Sequence, residues 1–299
     1  MTNLQTQTAA LPLKRKTGIL SAVPGIKWLL FIIPALYMLL LTFFPIIKIM
    51  KLGVHDGVHY TTKYIMQAFT TPVYLKVILY TFQISFIATL AALLLGYPVA
   101  YLLYKMQSET WRSITMSLIM IPFWISVLIR TFTWMVMLQN EGVINKVLLG
   151  LGLIDQPLHL LYTSTGNVVG MVHYLFPYMV LCIYSVMKGI DGRLLQAAEG
   201  MGARPWRAFR DVLLPLSMPG VIAGVLICFV FSLGFYITSV ILGGPKDKMI
   251  SNLIANFINV TLNWHMAAAL SIILLGATLL LIAVPFLIFR NHSALKGVI

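Results

Sequence analysis

Few residues in this 299-residue chain could do chemistry, and their placing narrows which chemistry. Arg130 is the only charged residue between Ser113 and Asn140. A guanidinium in such a run is costly unless it faces water, a partner or the interface. It could draw an anionic group along a ligand path, or staple its helix to a carbonyl or a headgroup. Aromatic faces offer a second chemistry, attraction of cations. Trp124, Trp134, Tyr174, Tyr178 and Tyr236 are candidates, with packing or interfacial anchoring as the plainer role of each. Every acid (Asp56, Glu109, Glu141, Asp155, Asp191, Glu199, Asp211 and Asp247) falls in a loop or at a helix end, which argues against a carboxylate cage in this chain. His173 and His265 have no neighbours at ligand spacing, so no metal site is expected. With no G-x-x-x-x-G-K-[ST], the chain cannot cradle ATP phosphates itself. It also lacks H-E-x-x-H and paired intramembrane His, Asp or Glu, which argues against a membrane-embedded enzyme.

The elements that must position these residues are membrane helices. Sixty per cent of the chain is hydrophobic and only 10% is charged, against roughly 25% charged in soluble domains. Net charge is +13, but the basic residues are scattered between apolar runs instead of forming a stripe, so no nucleic-acid partner is expected. Cys182 and Cys228 lie within apolar runs and read as buried thiols, not a disulfide framework. A bilayer core needs about 20 apolar helical residues per crossing. Apolar runs and turn signals place six helices near 28–50, 75–104, 113–138, 168–188, 217–241 and 266–289. On a straight third helix, Arg130 would stand roughly 27 Å beyond Arg112, toward the outer leaflet. The division expected is an N-terminal tail 1–27, a six-helix transmembrane domain 28–289 and a C-terminal tail 290–299. The first apolar stretch is too long for a cleaved signal and no small-residue cleavage site follows it, so an uncleaved first helix is expected. With both termini in the cytoplasm, 13 basic residues fall inside and seven outside, the favoured sense.

Residues 189–215, between the fourth and fifth helices, are not an ordinary loop. They read as two short helices, the first over about Arg193 to Met201 and ended by Gly202 in the left-handed conformation. Pro205 suits the first turn of the second. Trp206, Phe209 and Leu213 then form an apolar stripe. Such a pair could dock an aromatic knob into a groove on another protein, or lie on anionic lipid.

Gln196-Ala197-Ala198, then Gly202, Phe209 and Leu214-Pro215, resembles the EAA loop of binding-protein-dependent ABC importer permeases. Gln196 stands where that motif carries Glu, keeping hydrogen-bonding capacity and losing the charge. Gly96-Tyr97-Pro98 with Ala100-Tyr101 is similar to a second-helix segment of the family, and Arg130-Thr131-Phe132-Thr133-Trp134 to its R-T-[FY]-x-W. Leu242-Gly243-Gly244-Pro245 resembles the L-G-G-P loop of the polyamine and opine subgroup. Phe235 occupies a place where polyamine permeases often have an acid, and joins the substrate-path candidates.

The resemblance implies an all-α integral membrane protein of the type I importer permease kind, in the bacterial inner membrane, with no cofactor of its own. ATP and Mg would be bound by a cytoplasmic ABC ATPase dimer. Gln196, Ala197, Ala198, Gly202, Pro205, Trp206, Phe209, Leu214 and Pro215 would couple that ATPase to the membrane helices. The other implied partners are a second permease subunit in a heterodimer, an extracytoplasmic solute-binding protein and membrane lipid. The substrate expected is a small amine-containing solute (a polyamine, an opine or a related amino compound). An anionic or zwitterionic solute is the alternative. A secondary transporter would want intramembrane acids or inverted repeats, and neither is seen.

Overall fold

The computed structural model describes residues 24–55 and 59–289. The expected tails 1–27 and 290–299 lie outside the described residues, apart from 24–27. By its packing the chain divides into one unit ending at Ile49 and another beginning at Met50. The first holds most of α1 (Pro24–Gly53), which stays helical through Pro34 and Pro45. The second contains α2 (Lys63–Thr70), α3 (Pro72–Lys105), α4 (Glu109–Trp124), α5 (Val127–Leu138), α6 (Val143–Gly150) and α7 (Ser164–Lys188). It continues with α8 (Arg193–Gly200), α9 (Pro205–Ala208), α10 (Leu214–Leu233), α11 (Ile237–Leu242), α12 (Ile250–Asn259) and α13 (Trp264–Phe289). No strand occurs among the described residues. Among the described residues five helices are long and apolar enough to cross a membrane, and one bent pair would make a sixth.

The centre of the second unit is α3, α7 and α10. Tyr80 meets Ser164, Gly96 meets Met179 and Val180, and Tyr104 meets Ile190. Numbering rises together along both helices, so α3 and α7 run side by side in the same sense. Helix α10 runs against them: Gly220 meets Cys182, Gly224 meets Met179, and the Cys228 thiol donates to Leu175 O at 3.5 Å. Small residues let these backbones approach, as helix packing in lipid requires. Around them pack Ile84, Ala88, Met171, Leu175, Met179 and Ile183, all fully or nearly fully buried. A second cluster joins α2, α12 and α13 to the start of α3 through Ala68, Ile78, Ile250, Phe257 and Met266. There Thr81 Oγ1 donates to Val77 O and accepts from Ile250 N, both at 2.8 Å.

Three boundaries differ from the sequence reading. The run 113–138 is not one straight helix, because α4 and the helical stretch Val127–Gly150 meet at 99°. Pro122 supplies no N–H to the last turn of α4, and Ile125 and Ser126 go extended. The run 217–241 also breaks, at Gly234–Tyr236. Leu214-Pro215 ends nothing, since Pro205–Leu233 is one continuous helix. Pro215 brings no N–H, its ring crowds the preceding carbonyls, and the hydrogen bonding slips a residue. Leu214 N then reaches Phe209 O, a π-helical turn over Phe209–Leu213.

The α7–α10 contact predicts the effect of one substitution. A Cβ on Gly220 would stand 2.8 Å from Cys182 O and 3.0 Å from Val186 Cβ, whereas one on Gly276 meets nothing within 4 Å. Gly220→Val is therefore expected to destabilise by about 1–3 kcal/mol and Gly276→Ala not to. Thermal unfolding of the two variants in detergent checks this, and equal melting temperatures would contradict the packing described.

Candidate functional site

The residues of the 189–215 segment form two rigid elements joined by a glycine turn. Arg193 N donates to Asp191 Oδ1 at 2.9 Å and starts α8. At its other end Gly202 N reaches Glu199 O at 2.9 Å and Ala203 N reaches Ala198 O at 3.1 Å, with Gly202 at φ +90°. That pair of bonds is a Schellman cap. Ala198 is buried, while Gln196, Ala197 and Glu199 are exposed. Gln196 and Glu199 border a cavity of 660 Å³ that also takes in Lys105, Arg112 and Lys188. Arg112 is paired there with Glu109.

Pro205 opens the long helix, and Trp206 stacks on Phe209 with ring centres 5.4 Å apart. Phe209 sets its ring against Tyr97 at 5.9 Å and Tyr101 at 5.2 Å. Tyr97 in turn shares a 2.9 Å hydrogen bond with Ser217. This corrects the stripe read from the sequence. Leu213 is fully buried and Phe209 packs on α3 of its own chain, so only Trp206, 67% exposed, projects as a knob. Tyr97 and Tyr101 stand four apart on one face of α3 and make the receiving surface.

The second constellation lies where the two broken helices meet. Arg130 is in the first turn of α5, just past the break, and not far along a straight rod. Its Nη1 donates to Pro122 O at 3.1 Å, across the bend, and its guanidinium sits 4.9 Å from the Tyr174 ring centre. It is 7% exposed, and the ion pairs among the described residues, Arg112–Glu109 and Arg210–Asp211, do not include it. Tyr174 and Tyr178 bring their hydroxyls to 3.4 Å. Phe235 sets an edge against Tyr174 at 5.1 Å, and Tyr178 lies between Phe123 at 4.7 Å and Phe231 at 5.0 Å. A groove of 380 Å³ runs past Val127, Tyr174, Phe231, Phe235 and Tyr236.

Of the sequence candidates, Arg130, Tyr174, Tyr178, Phe235 and Tyr236 thus come together. Trp134 stands beside them, its Nε1 donating to His173 Nδ1 at 3.0 Å. Trp124 does not join: it is 90% exposed at the end of α4. Phe123 and Phe231 went unnoticed, although Phe231 and Phe235, four apart, carried a helical signal. Asp247, a loop acid in the sequence, has a structural role as well. Its carboxylate accepts from Ser164 Oγ at 2.6 Å and Gly244 N at 3.0 Å, tying the Gly243-Gly244-Pro245 turn to the start of α7. No group of three His, Cys, Asp or Glu suited to a metal occurs among the described residues. His265 instead meets Leu52 O at 2.9 Å and stacks on Tyr64.

The chain is similar to known proteins in sequence and in fold. The spermidine/putrescine transport system permease protein PotB of Haemophilus influenzae is 34% identical over 225 residues, which is 75% of this chain and 77% of the relative. The spermidine/putrescine transport system permease protein PotC of Shigella flexneri is 31% identical over 126 residues, 42% of this chain and 47% of the relative. In three dimensions the chain matches one from a bacterial alginate ABC transporter in complex with alginate pentasaccharide-bound periplasmic protein. The TM-score is 0.72 at 16% identity, over 90% of this chain and 96% of that one. At that identity the likeness shows the fold alone. Residues 92–294 match the binding-protein-dependent transport system inner membrane component family. Since that stretch takes in both the capped 189–215 helices and the arginine–aromatic cluster, the chain belongs to this family of inner membrane transport components.

Proposed function

We propose that the chain is one permease subunit of an ATP-driven importer that moves a small amine-containing solute, of the spermidine and putrescine kind, across the inner membrane. The observation that carries the mechanism is the unbroken helix from Pro205 to Leu233. At roughly 1.5 Å per residue it is a rod of about 43 Å. One end carries the exposed Trp206 and is joined through the Gly202 turn to α8, on which Gln196 and Ala197 are exposed. The other stops at Gly234, where Phe235 and Tyr236 line the aromatic groove. Closure of an ATPase dimer on α8 and Trp206 would tilt this rod and reshape the groove, giving alternating access. The Schellman cap keeps α8 and the rod from flexing independently. The likeness to both PotB and PotC supports a heterodimer with a second permease, each supplying half the path. A solute-binding protein would dock on the far face and deliver the solute already selected. Both termini would then lie in the cytoplasm, the sense favoured by the distribution of basic residues.

The test is reconstitution. The purified chain alone is expected to hydrolyse no ATP, since it has no phosphate-binding loop. Vesicles holding this chain, a second permease and the ATPase, with the solute-binding protein added outside, should take up putrescine or spermidine at the expense of ATP. Hydrolysis by the single chain would defeat the division of labour, and failure to carry either amine would defeat the substrate class.

A further inference from the structure

We infer that the Tyr174 ring face is a seat for a cationic group, that Arg130 is its resident occupant, and that the ammonium end of the transported solute enters by displacing it. This rests on the amine reading above and names the site where that amine would bind. The guanidinium lies 4.9 Å from the ring centre, within the range of cation–π attraction. Phe235 stands edge-on to the same ring at 5.1 Å, and Tyr178, tilted at 33°, lies 5.5 Å from it. What Arg130 lacks is as informative. Its polar contact is a neutral carbonyl, Pro122 O, and the ion pairs among the described residues leave it out. A buried charge locked to a carboxylate would be expensive to move, because the partner would be left uncompensated. One held by a ring face and a carbonyl leaves no stranded anion. Exchanging it for another cation keeps the charge of the site constant.

Access and movement both have a physical basis. The 380 Å³ groove borders Tyr174 directly, so a second cation has room to approach. Arg130 lies four residues beyond Ser126, and its N–H bonds to Ser126 O at 3.0 Å in the first turn after the bend. Rotation at Ile125–Ser126 would swing the guanidinium off the ring. The other break, Gly234–Tyr236, brings Phe235 to the same ring, so movement of the Pro205–Leu233 rod acts on the seat as well.

The experiment measures putrescine binding to the solubilised full complex without its solute-binding protein, with γ-aminobutyrate as a probe that has a carboxylate at one end. Arg130→Gln should bind putrescine about three- to tenfold more tightly, the gain expected from freeing one ring face. Arg130→Lys, which restores a cation, should return it to the wild-type affinity. Tyr174→Phe should keep the binding and Tyr174→Leu should lose it. Melting curves of all four variants separate binding from folding. Unchanged or weaker putrescine binding in Arg130→Gln, at an unchanged melting temperature, overturns the seat. So does loss of γ-aminobutyrate binding alone, which would make Arg130 an anchor for anions. Wild-type complex that neither binds nor transports putrescine would instead reject the amine reading beneath it.

Discussion

Phe209→Asp is expected to abolish solute uptake while leaving the chain in the membrane. Phe209 is the joint between the coupling end of the Pro205–Leu233 helix and α3, touching Tyr97, Tyr101 and Trp206 within 6 Å ring to ring. The groove around it is nearly all apolar, lined by Tyr97, Pro98, Tyr101, Pro205 and Trp206. Truncating a half-buried aromatic of this kind costs about 2–4 kcal/mol. A carboxylate placed there would also be set among apolar lining side chains. The helix would detach locally from α3, and ATPase closure would then move the coupling end of the rod without carrying α3 with it. Phe209→Leu, which keeps the apolar contact, should retain most of the uptake. The measurements are the amount of chain in the membrane, co-purification with the ATPase, and ATP-driven uptake. Normal uptake by the Asp variant would mean that force does not pass through this joint.

How much of this was legible from the sequence depends on whether the determinant is local. The glycine turn at 202 and the proline start at 205 were readable, because left-handed backbone and a missing N–H are properties of the residue itself. Crossing segments were readable because hydropathy is a sum over neighbours. The break at Ile125–Ser126 was not. Pro122 stands close to it in the sequence, but membrane helices often carry a proline unbroken, as α3 does at Pro98 and α7 at Pro177. Nothing in the run itself separates those cases. The π-helical turn is illegible for the opposite reason: Leu214-Pro215 has the look of a boundary, whereas the helix absorbs the proline by slipping one bond. Phe209 looked like a knob for a partner because its receiving surface, Tyr97 and Tyr101, lies on α3, far away in sequence. Arg130 is the sharpest case. Its isolation was visible in the sequence, but its relation to Tyr174 and Pro122 exists only once the bend folds α5 back against the end of α4.

Gly202→Pro should be the more severe of two substitutions at the turn between α8 and the rod, with Gly202→Ala as its measure. The glycine sits at φ +90°, and a Cβ there would meet nothing within 4 Å. Alanine therefore suffers only the backbone penalty of the left-handed region, about 1–2 kcal/mol, and should reduce ATP-driven uptake by a few-fold. Proline fails on three counts. Its ring fixes φ near −65°. It removes the N–H that Gly202 donates to Glu199 O at 2.9 Å, half of the Schellman cap. It also disfavours helical backbone at the preceding residue, Met201, which closes α8 with φ −81° and ψ 8°. The direction of α8 relative to Pro205 would change, and with it the placing of Gln196 and Ala197. Uptake should then be lost and ATP hydrolysis by the complete complex should no longer respond to the loaded solute-binding protein. The membrane helices should melt as in the wild type, because α3, α7 and α10 do not contain the turn. If alanine proves as damaging as proline, space at the partner's surface decides the outcome instead of backbone handedness. If the proline variant transports normally, α8 and the rod need no fixed angle and the coupling path lies elsewhere.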